Sequence, residues 1–116
     1  MALRDPKQVL GEGRKRIDSI NETMVELMRM GAKANSPVIR EMLRARTDIA
    51  VSIGRAKKEL GLTLVDTERE AQIIGKALHK ARSMGVNVKR TKLLMEVAIK
   101  SARRAQAMDS ERGTRL

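Results

Sequence analysis

The chain has no cysteine, no phenylalanine, tyrosine or tryptophan, and a single histidine in 116 residues. Without cysteine there is no disulfide and no thiol nucleophile, which fits a cytoplasmic protein. One histidine and no thiolate leave zinc without its usual ligands, so no metal is expected. Without aromatic faces there is nothing for unpaired bases to stack on. No apolar run of roughly eighteen residues occurs, so no membrane span is expected. The start, MALRDPKQVLGEG, lacks the apolar centre of a secretory signal. There is also no glycine-rich phosphate loop and no Ser/His/Asp arrangement, so nucleophilic chemistry has little to work with. A core must be made of Leu, Ile, Val, Met and Ala, which suits packed helices better than sheets.

What the chain does have is cation. The formal net charge is +11, which implies an anionic partner, small molecule or polyanion. The length suits one domain with one core.

Apolar residues recur at spacings of three and four throughout. Residues 1–12 read as a loose or briefly helical arm. A first helix starts at Arg14 and carries Ile17, Ile20, Met24, Leu27 and Met28 on one stripe. Gly31 and then Asn35-Ser36-Pro37 break it, and Ser36 with Pro37 reads as the cap and first residue of a second helix reaching Leu60. Gly61 ends that helix. Asp66 or Thr67 can cap a third, to about Ser83, with Ile73, Ile74, Ala77, Leu78 and Ala81 inward. A fourth spans roughly 89–108, with Leu94, Met95, Ala98, Ile99, Ala102 and Gln106 along one side. The tail, 109–116, reads as frayed. The fold class is all-α, with no segment alternating long enough to be a strand.

Three cations interrupt the apolar stripes: Arg14, Arg46 and Lys57. Arg46 and Lys57 lie on the stripe of Ile39, Met42, Ile49, Ile53 and Leu60, about three turns or roughly 16 Å apart. Asp66 and Glu70 follow closely in sequence. An unpaired buried charge is costly, so two readings compete. One is a core ion-pair network, for example Arg46 with Glu70, with Arg14 an end-of-helix arginine reaching for solvent. The other is a site for a small anion bearing hydroxyls. His79, in Lys76–Arg82, reads as part of a solvated face, and so does the run Lys100-Ser-Ala-Arg-Arg104. Gly54, in mid-helix, suggests a close helix approach.

These residues resemble the all-helical class of chorismate mutases over roughly Arg14 to Gln106. The matching pieces are Arg-Lys-Arg-Ile-Asp-Ser-Ile-Asn from Arg14, and Arg46 with Ile-Ala-Val-Ser-Ile-Gly-Arg-Ala-Lys ending at Lys57. Gly61-Leu62, Asp-Thr-Glu-Arg-Glu at 66–70, and Ser-Ala-Arg-Arg-Ala-Gln ending at Gln106 complete the set. The resemblance implies a helical bundle over 13–108, its first long helix interrupted near 31–36. It implies conversion of chorismate to prephenate, an isomerisation in aromatic amino-acid biosynthesis, with no cofactor. Arg14, Arg46 and Arg69 would grip the substrate carboxylates, and Asp66 and Glu70 would orient the ring hydroxyl. Lys57 would touch a carboxylate and the ether oxygen, and Gln106 would donate to that oxygen. Ala102 stands where the family usually has a small polar residue, with Ser101 beside it, so the resemblance implies that one contact to the ring carboxylate is lost or shifted.

Two alternatives accompany this reading. One is a same-fold enzyme on a chorismate relative, an aminodeoxychorismate mutase or an isochorismate-pyruvate lyase. The other is a basic helical nucleic-acid-binding module, which accounts for the charge but not for cations on apolar stripes. For assembly, the resemblance implies a homodimer in which Arg14 enters the partner's site. The alternative is a hairpin at the break, with Arg14 reaching the site of its own chain.

Overall fold

A computed structural model describes residues 4–114. It contains four helices, α1 (Pro6–Arg29), α2 (Pro37–Glu59), α3 (Thr67–Met84) and α4 (Val88–Thr114), and no strand among the described residues.

The helices form a square bundle. Each of α1 and α4 packs against both α2 and α3. Asn21 meets Arg46, and Gly13 lies against Ile53, so α1 and α2 run antiparallel. Arg46 meets Ala98 and Arg55 meets Asp109, so α2 and α4 run parallel. The molecule is elongated, 46 × 28 × 23 Å.

Local chemistry sets the ends. Asp66 caps α3 by accepting from the Arg69 amide at 3.0 Å, and Asn87 accepts from the Arg90 amide at 3.0 Å at the start of α4. After α2 the chain turns through Gly61 at φ 72°, and the Leu62 amide returns to the Lys57 carbonyl at 2.8 Å, a closing turn that favours glycine. Ser36 occupies the cap position of α2, but its hydroxyl makes no capping bond and is buried without a partner. Pro37 supplies the start there through its fixed φ.

Two expectations at the chain ends need correction. The helix that was to begin at Arg14 begins at Pro6, because Asp5 caps it, accepting from the Lys7 amide at 2.9 Å. Arg14 is therefore two turns inside α1, not at its end. Residues 1–3 of the expected arm lie outside the described residues. In the expected tail, α4 continues to Thr114, and Arg55 holds Asp109 with two bonds of 3.0 and 2.7 Å. Residues 115–116 lie outside the described residues.

The break is a hairpin within one chain. The Ala32 amide closes on the Leu27 carbonyl at 2.9 Å, and the Ser36 amide on the Lys33 carbonyl at 2.9 Å. The apolar core is divided along the bundle. The larger part is at the hairpin end, around Met24, Val25, Ile39, Ile73, Ala81, Leu94 and Met95. A smaller part, Ile17, Ala50 and Ile53, lies toward the other end.

Candidate active site

At the end away from the hairpin, four helix segments converge: the first half of α1, the C-terminal half of α2, the first turns of α3 and the middle turns of α4. They enclose a cavity with about 520 Å³ of empty space, its open mouth included. All seven residues expected at a site, Arg14, Arg46, Lys57, Asp66, Arg69, Glu70 and Gln106, line it. Ile17, Ala50, Ile53, Ile73, Ile99 and Ala102 form its apolar wall.

Arg46 is 2 % exposed. Its Nε donates to Asn21 Oδ1 at 2.8 Å and its Nη1 to the Ala98 carbonyl at 3.2 Å. No carboxylate lies within ion-pair distance of it, so the alternative Arg46–Glu70 core pair is not formed. Burial lowers its pKa to about 10, the Arg69 charge adds to this, and Asp18 opposes it. The group remains charged at neutral pH. Lys57 is also buried, and its Nζ donates to the Leu64 carbonyl at 3.0 Å. Burial, and then the charge of Arg14, lower its pKa below that of an ordinary lysine, with Asp66 and Glu70 opposing.

The remaining charges are paired. Arg14 lies 3.8 Å from Asp66. Asp66 uses its other oxygen for the α3 cap, and that Arg69 amide is the main reason its pKa lies below the usual carboxylate value. Arg69 donates to Asp18 at 2.8 Å. Glu70 is gripped by one edge of a guanidinium fork, with Arg103 Nε on Oε2 at 2.7 Å and Nη2 on Oε1. Gln106 Nε2 donates to the Ala50 carbonyl at 2.7 Å, which leaves one amide hydrogen free to point at a ligand.

Three residues were not foreseen: Asp18, Asn21 and Arg103. Asn21 carried the same signal as Arg46, a polar residue on an apolar stripe, four residues after Ile17. Asp18 carried none, since its partner is on α3. Arg103 was placed on a solvated run. Arg103 and Arg104 are both exposed as expected, but Arg103 also lines the cavity, because Glu70 draws it across from α4. His79 is exposed, as its basic surroundings suggested.

Gly54 has a spatial reason. A methyl group there would stand 3.0 Å from Gln106 Cγ, so α4 approaches α2 through this glycine. Gly54→Ala should gain helix propensity and leave thermal stability equal or higher. It should displace the Gln106 amide by a few tenths of an ångström and lower turnover by about tenfold, given how steeply rate depends on placement. A thermal melt alongside a kcat measurement checks both halves.

The family model of chorismate mutase type II matches residues 38–107. The chain belongs to that family. The matched stretch begins just after the hairpin and takes in α2, α3 and the part of α4 that reaches Gln106, while α1, with Arg14, lies before it. No curated protein and no solved structure was found to match the chain. Among the described residues no helix is long and apolar enough to cross a membrane.

Proposed function

We propose that the chain catalyses the rearrangement of chorismate to prephenate, in the cytoplasm, as a step of aromatic amino-acid synthesis. The observation that carries this is the charge balance of the cavity. Arg14, Arg46, Lys57, Arg69 and Arg103 face Asp66 and Glu70, with Asp18 behind Arg69. Among the lining residues five cations stand against two carboxylates, and Asp18 is shared between Arg69 and Lys76, so the cavity carries a cationic surplus that suits a dicarboxylate. The surplus sits on Arg46 and Lys57, the two cations without an ion-pair partner.

The chemistry fits these residues. A Claisen rearrangement is pericyclic and needs no acid, base or nucleophile. The site has to hold the enolpyruvyl arm over the ring and stabilise charge collecting on the ether oxygen as the C–O bond breaks. Guanidinium groups of Arg14, Arg46 and Arg69 bind carboxylates through their forks. Lys57 and the free Gln106 hydrogen address the ether oxygen. Asp66 and Glu70 receive the ring hydroxyl. The nucleic-acid alternative has less support, because Arg46 and Lys57 are buried rather than ranged along a surface.

The test is to follow the ultraviolet absorbance of chorismate and identify the product. Prephenate formed above the spontaneous rate supports the reading. No loss of chorismate overturns it. Faster turnover of isochorismate with pyruvate release, or of the amino analogue, would transfer the site to one of the same-fold alternatives.

The site is proposed to be complete in one chain, in place of the expected dimer with Arg14 supplied in trans. Arg14 lies 3.8 Å from Asp66 of its own chain, because the hairpin lets α1 fold back along α2. Mixing inactive Arg14→Ala with inactive Lys57→Ala protein should therefore restore no activity. Light scattering should give the mass of one chain. Recovered activity in the mixture would favour the swapped dimer.

The pH profile should carry the Lys57 signature. The protonated amine is the active form, and burial with Arg14 shifts its titration downward. In kcat/KM, which reports the free enzyme, activity should fall on the alkaline side below the ordinary lysine pKa. A bound dianion favours the charged amine, so the limb in kcat should lie at higher pH. Coincident limbs at the ordinary lysine value would disconnect Lys57 from the reaction.

A further inference from the structure

We propose, on the reading of the site as a chorismate mutase centre, that Arg103 binds the ring carboxylate of the substrate, the contact that Ala102 cannot make. Ala102 lines the cavity with a methyl group and has no donor. Arg103, the next residue on α4, lines the same cavity. A guanidinium has five N–H donors. Two of them engage Glu70, through Nε and Nη2. The other three, both on Nη1 among them, have no partner among the described residues.

Glu70 therefore does two things to Arg103. It draws the side chain toward the mouth of the cavity, and it fixes the guanidinium plane with one edge occupied and one edge open. A fork held in this way loses little further freedom when a carboxylate docks on the open edge. The pairing also answers an electrostatic problem. An ionised Glu70 beside an incoming dianion repels it, and Arg103 placed between the two carboxylates converts repulsion into a bridge. The merely structural reading is that Arg103 only aligns Glu70. The two readings differ in which part of the ligand notices Arg103.

The experiment is calorimetric titration of the whole chain with a stable oxabicyclic dicarboxylate that mimics the folded transition state. A second ligand is the same bicycle lacking the ring carboxylate. Arg103 is exposed along much of its length, so Arg103→Ala should fold, and circular dichroism checks this. Wild type should prefer the dicarboxylate. Arg103→Ala should weaken dicarboxylate binding by about 10- to 100-fold, the range for a hydrogen-bonded charge, and change binding of the monoacid little. Chorismate kinetics should show the loss mainly in KM. Arg103→Lys should recover part of the affinity, as a point charge without the fork. Equal losses for both ligands, or no loss, would overturn the proposal and leave Arg103 as an aligner of Glu70. Wild-type protein that binds neither bicycle and leaves chorismate unchanged would instead remove the functional reading on which this one rests.

Discussion

Lys57→Ala is expected to lower kcat by about 10²- to 10³-fold or more, the range seen when a fixed donor to a developing oxyanion is removed. The ether oxygen gains charge only as its bond breaks, so the interaction is stronger in the transition state than in the bound substrate. Such a loss appears in kcat and kcat/KM together. The structure favours a large effect. The ammonium group is buried at the cavity wall, held by the Leu64 carbonyl at 3.0 Å, with no carboxylate within ion-pair distance. Low polarity strengthens its field, and the anchor means it does not reorganise during reaction. The fold should survive, because burial already disfavours this charge and alanine removes that cost. Helical circular dichroism with near-wild-type turnover would rule out Lys57 as the group facing the ether oxygen.

The second large effect is expected at Arg46, where activity and stability should part. Its pKa is lowered from the ordinary arginine range to about 10, so keeping it charged at neutral pH costs the fold roughly 3 kcal/mol at about 1.4 per pH unit. The sign follows from proton binding. Above about pH 10 and up to the ordinary arginine range, the unfolded chain holds this proton more tightly than the folded one, so the penalty shrinks as pH rises. Arg46→Met removes the charge and roughly keeps the volume. It strands Asn21 Oδ1, at a cost of about 1–3 kcal/mol unless water reaches it, while the Ala98 carbonyl keeps its helical partner within α4. The terms nearly cancel, and the melting temperature should move by only a few degrees. Turnover should fall by about 10³-fold, since a buried guanidinium fork for a substrate carboxylate is gone. A collapse in melting temperature would mean that Arg46 is chiefly structural, and retained activity would exclude it from the site.

A residue that lowers stability and lines a cavity has a simple rationale in this family. On the proposed function, the cost of holding two unpaired cations would be recovered when a dicarboxylate binds. Ligand binding should therefore raise the melting temperature of the wild type, and do so less in Arg46→Met.

Much of this was legible along the chain. Periodicity located four helices, and the glycines and prolines located most of the breaks. The order of Arg46, Lys57, Asp66, Arg69, Glu70 and Gln106 identified a set of residues that the fold does bring to one cavity. That succeeds because a helix converts spacing into direction: residues three, four and eleven apart share a face whatever the helix packs against. Asp66 as a cap was legible for the same local reason.

Helix spacing says nothing, however, about which helix a face will meet or at what height. Whether the break at 30–36 is a hairpin or a kink in a longer helix depends on what α1 packs against, and only the folded chain places Asn21 level with Arg46 and Gly13 level with Ile53. The pairs Arg69–Asp18 and Arg103–Glu70 join residues on different helices. In sequence each of these is one charge among many. The late end of α4 was decided the same way, by Arg55 reaching Asp109, whereas the early start of α1 is local, set by the Asp5 cap. The sequence by itself determined the helices and the residue types they present. Tertiary packing decided which charges are partnered, and so which two in the cavity, Arg46 and Lys57, have no carboxylate within ion-pair distance.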